Sequence, residues 1–280
     1  MLIAEQSIEV GGLRWFYLEA NGALAGIPIV LLHGMPAHSY AWREVIPDLA
    51  QAGFRVIAPD WIGFGESSKP DKSEFTYSPE AFLKALGGFL DGLSIDRCIL
   101  VVQGFLGSVG VQYALRFPKR IKKLVILNAP LSTAAKLPGR LKQLGWPLLG
   151  DMLTQNPLSV DNALEYGGWQ IENVDLAIYR APYSSSGDAG RALMLSVRNL
   201  QLAAATAEIA TGFAPWKKPG APFDVLVVWG AKDRYLGESM GKIFADAHSQ
   251  IDLEIIPKGG HYPQEHYPKE VNEAILRFLR

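Results

Sequence analysis

The sequence predicts an α/β protein: a largely parallel sheet flanked by helices and interrupted once, late in the chain, by a helical insertion. Three observations carry that prediction. Ile27 to Leu32 is a continuous apolar run, the pattern of a central parallel strand buried on both faces. Strand-like runs and helical stretches alternate along most of the chain. At Cys98 to Gly110 a short apolar, β-branched run turns sharply at Gln103-Gly104-Phe105 and continues as a helix through Tyr113 and Leu115.

Taken in order, residues 3–10 and 13–20 form a hairpin around Gly11-Gly12, with alternation in Leu13 to Leu18. The strand Ile27 to Leu32 ends in the loop His33-Gly34-Met35-Pro36. An amphipathic helix follows, with Trp42, Val45, Ile46 and Leu49 on one side. Arg55 to Pro59 is the next strand and leads into Asp60 to Ser67. Ser78-Pro79-Glu80 starts a helix, serine capping it and proline filling its first position. The Cys98 strand, its helix and a strand from Leu124 to Leu127 come next. From about Leu131 to Phe223 no strand of similar strength is present; prolines, aromatics and helical stretches such as Arg191 to Ile209 replace the alternation. It returns with Asp224 to Trp229, a helix from about Gly237, the strand Asp252 to Ile256 and a final helix after Pro268. The division expected is a core of residues 1–130 and 224–280, with a helical cap at 131–223.

The 280 residues are long enough to bury a large core, and 27 basic against 28 acidic side chains give a net charge of −1. That balance, without a basic run, predicts no nucleic-acid partner and no anionic membrane surface. A single cysteine, Cys98, excludes an internal disulfide and is expected as a small core residue. The start lacks a basic region and a long apolar stretch, and no window approaches 18 uninterrupted apolar residues. A cytoplasmic protein with no transmembrane segment is expected, and no metal or cofactor.

Five short motifs stand at or beyond strand ends: His33-Gly34-x-Pro36, Asp60-x-x-Gly63-x-Gly65-x-Ser67, Trp229-Gly230-x-x-Asp233, Gly260-His261 before Gln264-Glu265, and Tyr179-Arg180-Ala181-Pro182-Tyr183 in the insertion. In this order and spacing the chain resembles the α/β-hydrolase fold over nearly its whole length, in the branch of haloalkane dehalogenases and epoxide hydrolases. The resemblance implies an eight-stranded, mostly parallel sheet with helices on both faces and a helical cap inserted before the late strands. It aligns Val101-Val102-Gln103-Gly104-Phe105 with a pattern in which an aspartate nucleophile stands at Gly104. Glycine at that place also resembles homologues of cyanobacteria and plastids, which would imply a pigment- or lipid-related ligand.

Each candidate then carries a role and a plainer alternative. His261, after Gly259-Gly260, is the expected general base, an imidazole suited to proton transfer near neutrality; otherwise it is a loop histidine capping carbonyls. His266 lacks such context and is expected at the surface. Asp233 is expected to orient His261, or else to cap its own turn and pair with Arg234. The resemblance gives the backbone N–H groups of Met35 and Phe105 the oxyanion-hole role, while Gly34 alternatively only permits a tight turn. His33, Gly34, Asp60, Trp61 and Trp229 are expected near the pocket, Asp60 and Trp61 chiefly as braces of the loop.

Gly104 is the decisive departure: it offers no nucleophile. Because glycine reaches freely the strained backbone conformation of such a turn, the turn can persist without the chemistry, so hydrolysis through a covalent intermediate is not expected. Leu106 stands where the turn pattern wants a small residue. Ser108, one turn into the helix, is expected to bond back to helix carbonyls rather than act as a nucleophile, and Ser132 could border the pocket. Phe105 and Met35 replace the two halide donors that the resemblance leads one to expect, so haloalkane hydrolysis is doubly disfavoured. In the cap, Trp146, Tyr166, Trp169, Tyr179, Tyr183 and Trp216 are expected to fill a small core or line an apolar pocket, and Lys217-Lys218 to lie in a solvated linker. Three functions follow: an apolar small-molecule binder that has lost hydrolysis, an enzyme using only His261 and Asp233 (a hydrolase, a lyase or a cofactor-free oxygenase), or a protein-interaction module with a weak partner docking on the cap.

Overall fold

The computed structural model describes residues 3–168, 170–184, 187–217 and 220–280. Trp169 and Lys218, both singled out in the sequence, lie outside the described residues. Eight strands form one sheet in the order β1-β2-β4-β3-β5-β6-β7-β8. They are β1 (Ile3–Val10), β2 (Leu13–Ala20), β3 (Ile29–Leu32), β4 (Val56–Pro59), β5 (Cys98–Gln103), β6 (Ile121–Leu127), β7 (Asp224–Gly230) and β8 (Ile251–Ile256). β1 and β2 make the expected hairpin, with Gly11 and Gly12 at φ 60 and 78°, and β2 runs antiparallel to β4; all other pairings are parallel.

The helices are α1 (Ile46–Gln51), α2 (Pro79–Gly92), α3 (Gly104–Arg116), α4 (Gly139–Leu144), α5 (Leu149–Thr154), α6 (Leu158–Gly167), α7 (Asn173–Ser184), α8 (Gly187–Arg198), α9 (Leu202–Phe213), α10 (Glu238–Asp246), α11 (Pro263–His266) and α12 (Pro268–Leu279). α4 to α9 occupy the stretch between β6 and β7, and among the described residues that stretch holds no strand.

Strand periodicity divides the core. Val30, Leu32, Leu100, Val102 and Val227 point into one apolar cluster, with α2, α3 and the insertion. Their neighbours Ile29, Leu31, Ile99, Val101 and Val228 point into a second, with α1 and α12. This two-sided burial is why the central strands are apolar throughout. Cys98 lies in the first cluster, and burial pushes its thiol up to about 12. Among the described residues no helix is long and apolar enough to cross a membrane.

Several boundaries differ from expectation. β3 begins at Ile29, because Pro28 offers no N–H and Ile27 is 36 % exposed. β6 extends back to Ile121, through Lys122, which is exposed, and Lys123, whose ammonium donates to Phe278 O at 2.8 Å, a polar pair that hides the strand pattern. The helix expected around Trp42 is a 3-10 turn, Ser39–Trp42, followed by α1, although Trp42, Val45, Ile46 and Leu49 share one buried face as expected. Arg191 to Ile209 is two helices, α8 and α9, broken where Gln201 takes a left-handed φ of 48°. Of the insertion's aromatics, Tyr179, Tyr183 and Trp216 are buried, whereas Trp146 is 45 % exposed, near the exposed Leu148, Met152 and Leu158.

Candidate functional site

Because β3 lies between β4 and β5, the chain reverses its winding there, and the loops leaving the carboxyl ends of β3 and β5 are neighbours. β5 ends at Gln103 in an extended conformation, and Gly104 then takes φ +68° to open α3. The turn forms despite Leu106, which is fully buried in the core. What permits it is a pair of glycines further along α3. A Cβ at Gly107 would lie 3.2 Å from Ala129, and one at Gly110 would run into Val102, so α3 packs its backbone hard against the strands.

Gln103 is buried and ties two loops together. Its Oε1 accepts from Gly34 N at 3.1 Å and its Nε2 donates to His261 O at 2.7 Å. A side chain on Gly34 would occupy the place of that Oε1, so the glycine does more than permit a turn.

His261 and Asp233 meet. His261 Nδ1 lies 2.9 Å from Asp233 Oδ2, and both side chains are buried. A carboxylate only accepts, so Nδ1 carries the proton and, in the neutral ring, Nε2 keeps its lone pair. Asp233 also accepts from Asn128 Nδ2 at 2.8 Å and from the N–H groups of Tyr235 and Leu236 at 2.7 and 3.1 Å. It pairs with His261 and not with Arg234. His261 is further held by its N–H on Gly167 O at 2.6 Å. On the opposite edge of the ring Nε2 is buried and has no hydrogen-bond partner. A Cβ built on Gly104 would stand 3.4 Å from that Nε2 and 3.2 Å from Gly34 Cα; among the described residues, nothing else outside its chain neighbours and the backbone of its own helix comes within 4 Å.

The walls are aromatic. The rings of Tyr235 and Tyr262 each lie 4.9 Å from His261, and Phe105 lies 5.5 Å away. Tyr262 donates its hydroxyl to Met35 O and Tyr183 donates to Pro36 O, each at 3.1 Å, while Tyr235 donates to Ala163 O at 2.6 Å. Burial raises the pKa of all three phenols, so they serve as neutral struts that fix the Met35-Pro36 loop and the insertion. Phe105 N–H belongs to the first turn of α3, whose N–H groups have no acceptor within their own helix.

Other expected pocket residues act at one remove. His33 Nε2 accepts from Trp61 N at 3.0 Å, its Nδ1 lies 2.9 Å from Gly34 O, and Trp61 Nε1 donates to His33 O. Asp60 accepts from Ser39 N and Glu66 N. These residues brace the loop after β3. Trp229 does not border the site: it is buried beneath Gly241 of α10 and donates Nε1 to Gly237 O at 2.8 Å. Ser132 lines a separate surface cleft of about 460 Å³ against α9 and α10. Ser108 Oγ donates to Phe105 O at 2.7 Å, back along its own helix. His266 is half-buried rather than superficial, against Gly168 of the insertion.

The insertion is latched over this edge by charge. Arg43 bridges Glu265 at 2.5 Å and Asp175 at 2.9 Å, Tyr179 donates to Glu265 at 2.6 Å, and Tyr40 donates to Asp175 at 2.8 Å. Among the described residues no cluster of three metal-ligating side chains occurs.

Residues 27–267 match the family model described as alpha/beta hydrolase fold. The chain belongs to that family. It is similar to a haloalkane dehalogenase of Sphingobium indicum, 30% identical across 98% of this chain and 94% of the relative. It is also similar to epoxide hydrolase 3 of Xenopus tropicalis, 27% identical across 96% of this chain and 75% of the relative. A loop variant of a haloalkane dehalogenase from Bradyrhizobium elkanii superposes with a TM-score of 0.84 at 23% identity, covering 99% of this chain and 96% of that one, and so shares the fold. Within this alpha/beta-hydrolase fold, Asn128, Gln103, Tyr235 and Tyr262 are the residues around His261 that the sequence alone does not single out. Asn128 directly follows the apolar run of β6, and Gln103 is a polar residue ending an otherwise apolar strand. A polar side chain at a strand's carboxyl end was the available signal.

Proposed function

We propose that this alpha/beta hydrolase has given up covalent hydrolysis and binds a small, largely apolar molecule at the Gly104–His261 site. One observation carries the reading: the turn at the carboxyl end of β5 is built, aimed at His261, and bears no side chain. A nucleophile attached there would lie beside the base, and loss of one from a triad lowers turnover by about a millionfold. Ser108, the nearest hydroxyl in sequence, donates to its own helix and offers no substitute. The N–H of Phe105 and that of Met35, whose carbonyl Tyr262 anchors, are the donors that would meet a polar group of the ligand.

A second reading, an enzyme using the His261–Asp233 pair as a general base, is favoured by the unpartnered Nε2 facing the same space. Turnover on esters, epoxides, haloalkanes and hydroxyaromatics, with wild type beside His261→Ala, separates the two. Silence in both is expected. Activity that vanishes in the variant would instead establish the dyad enzyme and name its reaction.

A further inference from the structure

We propose that the ligand of this site presents a carboxylate, seated in the space above Gly104 where the chain itself supplies no side chain. The inference rests on the reading that Gly104 takes the place of a nucleophile, and it adds the ligand's charge.

Three features converge on one small volume. The first is the N-terminus of the 13-residue helix α3, where unbonded N–H groups and the helix dipole favour an anion. The second is His261 Nε2, buried, unpartnered and 3.4 Å from the position a Cβ of residue 104 would take. The third is the loop after β3, whose Gly34 Cα lies 3.2 Å from the same position, so this loop borders the place. The α3 N–H groups, and Nε2 once it is protonated, therefore face a place that a carboxylate-bearing side chain would neutralise and glycine does not. Asp233 cannot serve, because it sits at the opposite edge of the imidazole and its oxygens are engaged by Asn128 and the N–H groups of Tyr235 and Leu236.

A carboxylate seated there accepts from backbone N–H groups and from Nε2. For Nε2 to donate, the ring must carry a second proton, which arrives with the acid or from solvent. The imidazolium then lies between two carboxylates, Asp233 and the ligand's, and its charge-assisted hydrogen bonds offset the burial of the anion. The walls limit the rest of the ligand. Phe105, Tyr235 and Tyr262 pack around His261, so the remainder of the ligand meets aromatic, largely apolar walls.

Butyrate is the probe and butyramide its neutral isostere. Isothermal titration calorimetry on the wild-type protein is expected to give butyrate at least tenfold tighter binding than butyramide. Gly104→Asp, which brings its own carboxylate to the space, is expected to weaken butyrate at least tenfold, and so is His261→Gln, which keeps a polar side chain without the positive charge. Equal binding of the two probes, no butyrate binding at millimolar concentration, or wild-type affinity in either variant would overturn the proposal. Should both variants fail to fold, the wild-type protein still decides: the His261 ring nitrogen resonances must move on addition of butyrate and stay in place with butyramide. Hydrolysis of any compound in the substrate panel would refute the non-hydrolytic reading whatever butyrate does. A silent panel with no butyrate binding would leave that reading standing and remove only the carboxylate.

Discussion

The two edges of one imidazole are built differently. On the Nδ1 edge of His261, Asp233 accepts four hydrogen bonds, and Asn128, left-handed at φ 41°, locks β6 to β7 by also accepting from Gly230 N at 2.8 Å. On the Nε2 edge stands Gly104, and among the described residues the nitrogen has no hydrogen-bond partner. The contrast teaches that the two sides of such a site answer to different constraints. The Asp233 side is woven into the strand ends through Asn128 and the N–H groups after β7. The Gly104 side makes no such ties, since a turn that holds glycine without strain stands whether or not a side chain is attached to it.

The first way to break the comparison is to remove the orienting side. Asp233→Ala orphans the His261 and Asn128 donors and two backbone N–H groups in a buried place, and is expected to destabilise the fold by about 3–5 kcal/mol. Urea unfolding measures it. A loss below about 1 kcal/mol would mean that the pair is not part of the scaffold.

The neighbouring His33 sharpens the point through pH. Its two nitrogens, one toward Gly34 O and the other accepting from Trp61 N–H, are both satisfied only in the neutral ring. Burial depresses its pKa from 6.5 to about 4, with nearby Asp60 pulling the other way. Between those values the unfolded chain binds a proton that the native state refuses. Stability is therefore full above about pH 6.5 and falls as the pH drops toward 4, by about 3 kcal/mol for this group. His33→Asn should flatten that part of the stability–pH curve. An unchanged slope would show that the loop after β3 does not depend on a neutral histidine.

Much of this was legible from residues alone, and the exceptions have physical reasons. The β1–β2 hairpin and the buried strands follow from glycine placement and apolar periodicity, which are local. The bracing roles of Asp60 and Trp61 and the meeting of His261 with Asp233 follow from motifs at strand ends. Trp229 misled because a tryptophan beside a motif glycine looks like a pocket wall, whereas its burial is decided by Gly241, a residue on a later helix. The struts Tyr235 and Tyr262 were hidden because their partners, Ala163 and Met35, lie 72 and 227 residues away. The break between α8 and α9 was hidden because Asn199-Leu200-Gln201 contains neither glycine nor proline, and the left-handed turn falls on Gln201.

On the reacting side, Gly104→Ala is expected to cost less than Asp233→Ala, about 1–2 kcal/mol, because the methyl must be held at φ +68° with Gly34 Cα 3.2 Å away. Thermal unfolding of the two variants side by side gives the ratio that the comparison requires. If Gly104→Ala proved the more damaging, the glycine would be there for the fold alone, and its place beside His261 would carry no functional meaning.

The smallest effect falls on Ser108, and it guards against a rival nucleophile. Its hydroxyl donates to Phe105 O within α3, a contact that slightly favours the helix turn but leaves Phe105 N–H unaffected. Ser108→Ala should change stability by about 1 kcal/mol or less and leave butyrate affinity at the wild-type value. A hydroxyl poised for attack would behave otherwise, because the wild-type protein would be labelled by a serine-directed phosphonofluoridate and the variant would not. Labelling confined to wild type would move the reacting group one turn along α3, and the asymmetry around His261 would then belong to a hydrolase with a displaced serine.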